Sequence, residues 1–124
     1  NNSLEIIHSA DLPALSGLGS SSAFTVSLIN LIYANNKEEV NKRELANKSV
    51  YIEKKILKES VGYQDQFASS FGGFNIINFS KKKISINPIN ISQDKLIKLL
   101  DNMVLYFSGY QRQAQVIEKK KLKI

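Results

Sequence analysis

There is no cysteine among the 124 residues, so disulfides and thiolate metal sites are excluded. That absence fits a reducing compartment, and the chain reads as cytoplasmic. No run approaches the roughly 18 uninterrupted apolar residues of a membrane span, and no signal-peptide pattern opens the chain. No period recurs and no low-complexity linker divides it, so residues 1–124 read as one domain or one fragment. A single methionine is present, Met103, so the chain does not open on its own start residue. It begins inside an alternation, "SLEIIHS", and stops inside a basic, helix-like stretch, "QVIEKKKLKI". Both ends read as cuts through something larger, and exposed strand edges at such ends favour self-association.

What is abundant is lysine. The formal charge is +6, which suits a nucleic-acid or phosphate partner. Much of the excess, however, sits in Lys81-Lys82-Lys83, at an expected hairpin tip, and in Lys119-Lys120-Lys121, near the chain end. No aromatic side chains interleave with either run, as single-strand binders require. The charge therefore reads first as a solvated surface.

The elements are mixed. Leu4, Ile6 and His8 alternate with Glu5, Ile7 and Ser9, which predicts a strand over residues 3–10, ended by Pro13. A helix follows from about Ser21 to Ala34. Its Ala23, Val26, Leu28, Ile29, Leu31 and Ile32 cover most of the circumference, which predicts burial, and Asn35-Asn36 breaks it. Asn41, with Glu44 three residues on, makes a capping-box-like start to a helix from Lys42 to about Glu59. Asp65 begins a short helix to Phe71, stopped by Gly72-Gly73. "FNIINF" and "ISINPI" read as a hairpin joined at "SKKK". Ser92 caps a helix bearing Leu96, Leu99 and Leu100, "NMVLYFS" reads as a buried strand, and Gly109 turns the chain into a last helix. Grouped helices around a hairpin favour α+β, with a mixed sheet packed against helices.

One stretch stands apart from this framework. In "DLPALSGLGSSSAFTV" a small, hydroxyl-rich loop runs directly into an apolar helix. The first amides of a helix have no intrahelical acceptors and, with the helix dipole, favour an anion such as phosphate. Glycines let the backbone approach closely, and serine hydroxyls donate to phosphate or ligate a hard metal such as Mg²⁺. The loop is not a Walker A loop, because no lysine follows its last glycine, and it lacks the full dinucleotide fingerprint. A tight strand-to-helix turn with serine caps is the plainer alternative.

Two acids sharpen the reading. On the second helix, Leu45, Ala46, Ser49, Val50, Ile52, Ile56 and Leu57 form one arc. At about 100° per residue, Glu53 falls inside that arc, between Ser49 and Ala46. A carboxylate on an apolar face needs a cation or donors, unless it reaches water at the rim or pairs with a lysine elsewhere. Asp65, in "GYQDQ", stands at a helix start between two amides, as a positioned acid or as an ordinary helix cap. Phosphate loop, buried Glu and positioned Asp together make the minimum set for phosphoryl transfer.

The motif "DLPALSGLGSSSAF" resembles the second motif of the GHMP kinases, in which a proline and three residues precede Gly-Leu-Gly-Ser-Ser; Ser22 stands where many members have alanine. "VGYQDQFASSFGGFN" is similar to the Gly-x-x-Asp-Gln segment of the sugar-kinase branch, and most similar to the bacterial heptose kinases that act on D-glycero-D-manno-heptose 7-phosphate. "LYFSGYQRQAQVI" resembles a later segment in which Thr-Gly precedes an Arg; here Ser108 replaces the Thr, while Gly109 and Arg112 remain.

The resemblance implies a fold whose N-terminal domain is similar to a domain of small-subunit ribosomal proteins. It implies ATP and Mg²⁺ as cofactors, with Pro13, Gly17, Leu18, Gly19, Ser20, Ser21 and Ser22 around the nucleotide phosphates. Ser21 and Glu53 would ligate Mg²⁺, and Asp65 would be the catalytic acid-base residue. Gly62, Gln64, Gln66 and Arg112 would face the sugar phosphate. The family's first and third motifs do not occur, so the chain resembles the middle of such a kinase and is expected not to turn over alone. Two rivals remain: a catalytically incomplete phosphate- or nucleotide-binding fragment, and a basic nucleic-acid-binding domain. The last leaves Glu53 and Asp65 unexplained, since acids near phosphates repel them unless a metal intervenes. No nucleic acid or membrane partner is expected.

Overall fold

The computed structural model describes residues 4–11, 16–106 and 109. Among these the chain forms α1 (Ser20–Asn35), α2 (Lys42–Tyr51), a π-helical turn (Ile52–Ile56), α3 (Gln64–Phe71), β1 (Asn75–Phe79), β2 (Ile84–Pro88) and α4 (Gln93–Asp101). The α+β class holds. The sheet among the described residues is a two-stranded antiparallel hairpin, not the mixed sheet expected.

Packing centres on α2. Its start is set by Asn41, whose side-chain oxygen accepts from the Glu44 amide at 2.9 Å. Leu45, Ala46, Ser49 and Val50 then recur on one side and are buried. Val26 and Ile29 of α1 meet Leu45, with Tyr33, Val40 and Ile52 around them. Phe67 of α3 meets Ala46 and Val50, and Phe71, Ile77, Ile84 and Ile86 complete that second cluster. Phe67 is 1% exposed. Burying such a side chain is worth about 1.5–3 kcal/mol, so it anchors α3 on α2. Polar arms hold the edges. Lys42 Nζ donates to the Phe71 carbonyl at 2.8 Å, satisfying an end of α3, and Arg43 reaches the Ile84 carbonyl at 3.0 Å, tying the hairpin to α2. The lysine run sits at the hairpin tip as expected, where Ser80 Oγ bridges the backbone of Lys83.

The helix expected to reach Glu59 changes pitch after Tyr51. The Leu57 amide donates to the Ile52 carbonyl at 2.9 Å, five residues back, and the Glu59 amide donates to the Glu53 carbonyl at 2.8 Å. A π turn holds more residues than an α turn, so the buried phase slips after Glu53. Ile56 and Leu57, expected on the buried arc, are therefore exposed.

Three further expectations fail for a shared reason: no partner surface lies among the described residues. Residues 4–10 form no strand, since a strand needs a ladder partner. They are exposed, although His8 meets Phe24 of α1 edge-on at 4.9 Å between ring centres. α1 is not buried all round: Ser22, Val26 and Ile29 are buried, but Leu31 and Ile32 are exposed. Residues 103–106 are exposed and form no strand, and α4 buries none of its side chains. Ser92 precedes α4 without a side-chain cap bond. Pro13, Phe107, Ser108, Arg112 and the expected last helix lie outside the described residues. Among the described residues no helix is long and apolar enough to cross a membrane.

Candidate active site

The loop before α1 bends through Gly17 and Gly19, with φ of 80° and 71°, a region that side chains with a Cβ rarely enter. Gly19 is the residue before the first turn, so no side chain caps the helix. Ala23 donates the first intrahelical bond, to the Gly19 carbonyl at 2.9 Å. The amides of Ser20, Ser21 and Ser22 are thus left without helical acceptors, at the positive end of a 16-residue helix. Leu18 and Ser21 are exposed and Ser20 is half-buried.

α3 delivers the first acid to this loop. Tyr63 occupies the cap position, and Asp65 stands in the first turn rather than at the cap. Its side chain is packed on Gly19: a methyl group built there would lie 3.0 Å from the Asp65 carboxyl carbon and 3.2 Å from Oδ2. The approach needs a residue without a Cβ, which is a second reason for glycine beside its φ. Gly19→Ala is therefore expected to destabilise the protein by about 1–2 kcal/mol, the scale of a left-handed residue bearing a side chain, and to push Asp65 off the loop. Chemical denaturation checks this; an unchanged midpoint would mean the loop is free to re-form.

The second acid comes from the π turn. Glu53 is 1% exposed. Its Oε2 accepts from Ser22 Oγ at 3.0 Å and from Gln66 Nε2, and Gln66 Nε2 also donates to Ser22 Oγ at 3.0 Å. Oε1 of Glu53 and Oε1 of Gln66 are buried with no hydrogen-bond partner. The network is therefore rich in acceptors and short of donors. A hydrogen bond to a charged group is worth about 1.5–3 kcal/mol, while burying a carboxylate costs several kcal/mol. Two bonds on one oxygen leave the other oxygen uncompensated, and a cation fits that need.

The donor set suits a magnesium ion shared with phosphate. Mg²⁺ takes oxygen ligands, and is usually held by one or two carboxylates plus substrate phosphates rather than by an all-protein cage. No cluster of three acidic, cysteine or imidazole groups that could hold a metal ion occurs among the described residues.

The structure thus brings together Gly19, Ser22, Glu53, Asp65 and Gln66. Ser21, expected beside Glu53, is exposed, and the hydroxyl that bonds the carboxylate is that of Ser22. Gln66, expected to face substrate, is instead buried between Glu53 and Ser22. Gly62 is half-buried in the connection before α3, and Gln64 is exposed at its first position. The part played by Ser22 was open to a helical wheel, because it shares the buried stripe of Val26 and Ile29. The ring through Gln66 had no such signal, since its partners are 44 and 13 residues away.

A glycine-bent loop thus opens α1, and two acids are brought to it from separate elements. The family model for the GHMP kinases N terminal domain matches residues 2–73, and the chain belongs to that family. It is 35% identical over 113 residues to the D-glycero-alpha-D-manno-heptose 7-phosphate kinase of Campylobacter jejuni, a match covering 90% of this chain and 33% of the relative. The chain thus spans about a third of the length of that curated relative. No solved structure gives a significant match.

Proposed function

We propose that these residues form the nucleotide- and metal-binding part of an ATP-dependent kinase that phosphorylates a hydroxyl of a small sugar phosphate, D-glycero-D-manno-heptose 7-phosphate first. The observation that carries the reading is the packing of Asp65 on Gly19. It sets a carboxylate beside the free amides of Ser20, Ser21 and Ser22, where a terminal phosphate would meet an acceptor hydroxyl. The name of the heptose kinase relative supports the choice of sugar.

In this reading the amides of the first turn of α1 bind nucleotide phosphate oxygens. Glu53 Oε1 and a loop hydroxyl would hold Mg²⁺. Ser22 Oγ donates to Glu53 Oε2 and accepts from Gln66 Nε2, so it is engaged within the ring, and we take the exposed Ser21 as the hydroxyl for the metal. When bound, the ion supplies positive charge to the phosphoryl oxygens. Asp65 accepts the proton of the attacking sugar hydroxyl at its carboxylate and orients that hydroxyl. Gly62 and Gln64 flank the place where the sugar would lie. The reading places the protein in the cytoplasm and involves no nucleic-acid partner.

The test is ADP release by the full-length protein with ATP, Mg²⁺ and the heptose 7-phosphate. Turnover that requires all three is expected. Turnover with a different sugar phosphate would revise the substrate, and none with any sugar phosphate would sink the proposal.

A further inference from the structure

Gln66 is the buried polar residue of this site that phosphoryl transfer itself does not use. Its amide, the Ser22 hydroxyl and the Glu53 carboxylate close a ring of three hydrogen bonds that spans α1, the π turn and α3. If packing alone mattered, an apolar side chain would serve, as Phe67 does beside it. Two features of the ring give Gln66 more to do.

First, both donors converge on one oxygen of Glu53. A carboxylate held at Oε2 by two charge-assisted bonds cannot turn without breaking them, so Oε1 is kept in one direction and without a partner. Second, Gln66 is the neighbour of Asp65 in the first turn of α3. Fastening its side chain to two other elements sets the rotation of that turn, and with it the place of Asp65 against Gly19. The cation of Lys54 lies 3.8 Å over the ring of Tyr63, the residue that caps α3, and restrains the same turn from the π side.

We propose that Gln66 is a positioning residue that fixes Glu53 Oε1 as the cation-facing oxygen and, through the adjoining peptide, fixes Asp65 on the phosphate loop. This rests on the cation site proposed at Glu53. Groups that orient a metal ligand are typically worth about 10–100-fold in metal affinity.

The experiment measures the affinity of the full-length protein for a non-hydrolysable ATP analogue, with Mn²⁺ and with chelator. The wild type should bind more tightly with Mn²⁺, and Glu53→Gln should lose that gain. Gln66→Met should reduce the gain, taken as the ratio of affinities with Mn²⁺ and with chelator in the same variant, by about tenfold or more, with a native circular dichroism spectrum. Ser22→Ala, a change any helix accepts, removes the other donor and should reduce the gain several-fold. Full Mn²⁺ enhancement in Glu53→Gln would overturn the cation site itself. Loss in Glu53→Gln with full enhancement in Gln66→Met would leave that site standing and overturn the positioning role. If Gln66→Met does not fold, an undiminished gain in Gln66→Asn, whose shorter amide draws the donor away from Glu53, overturns it instead.

Discussion

In the full-length protein, Asp65→Asn is expected to lower kcat by about 10²–10⁴, the usual worth of general-base help, while nucleotide affinity stays nearly unchanged. Asparagine is close to isosteric, so the contact with Gly19 survives. Asp65 is not the cap of α3, a position held by Tyr63, so no cap bond is lost. What goes is a negative charge in the first turn, worth about 0.3–1 kcal/mol against the helix dipole. That is too little to unfold a protein or to explain a rate loss of this size. The amides of Ser20, Ser21 and Ser22 still meet phosphate, and removing a nearby carboxylate lessens its repulsion. The loss should therefore fall on kcat rather than on KM for ATP. A variant with near-normal kcat would reduce Asp65 to a surface acid in a helical turn.

Glu53→Gln should separate stability from metal dependence. The buried ring contains two acceptor oxygens without donors, one on Glu53 and one on Gln66. An amide at position 53 keeps an acceptor for Ser22 and Gln66 and adds N–H donors where the network lacks them. It also removes a buried charge, whose desolvation costs several kcal/mol. Thermal unfolding of the metal-free variant should thus occur at the same temperature or higher. Mg²⁺ enhancement of nucleotide binding should be largely lost, because a neutral amide does not replace the carboxylate that such an ion takes as ligand. Unfolding accompanied by an intact metal requirement would make Glu53 a structural acid.

Local features were legible where the deciding forces are local. The cap at Asn41, the hairpin over residues 75–88 and the stop at Gly72 follow from turn and cap chemistry within a few residues. Glu53 was legible because a helical wheel needs only the helix to which it is applied. The strand expected over residues 3–10 and the buried strand expected around Val104 were misread because alternation and apolar runs state what a strand would bury, not whether a partner exists. The exposure of Ile56 and Leu57 escaped for a different reason. A wheel drawn at constant pitch cannot register a turn that closes five residues back. Within the site, Gly19 was legible as a bend but not as the seat of Asp65, since that contact joins residues 46 positions apart in the chain.

The π turn also bears on how the spacing of the two acids can change over evolution. A π turn closes five residues back and so accommodates one residue more than the α turn it replaces. Here that turn lies between the buried Glu53 and Asp65, and its Lys55 and Ile56 are exposed. Removing one of them would let the segment close as ordinary α-helix, with Glu53 before it and α3 beyond it left in place. The segment is thus a slack link: the interval between the acids can drift by a residue while their separation in space is held. A pattern search that insists on a fixed interval will pass over relatives built this way. A search for a lone carboxylate at the end of an apolar helical arc, followed by an acid at the next helix start, will find them.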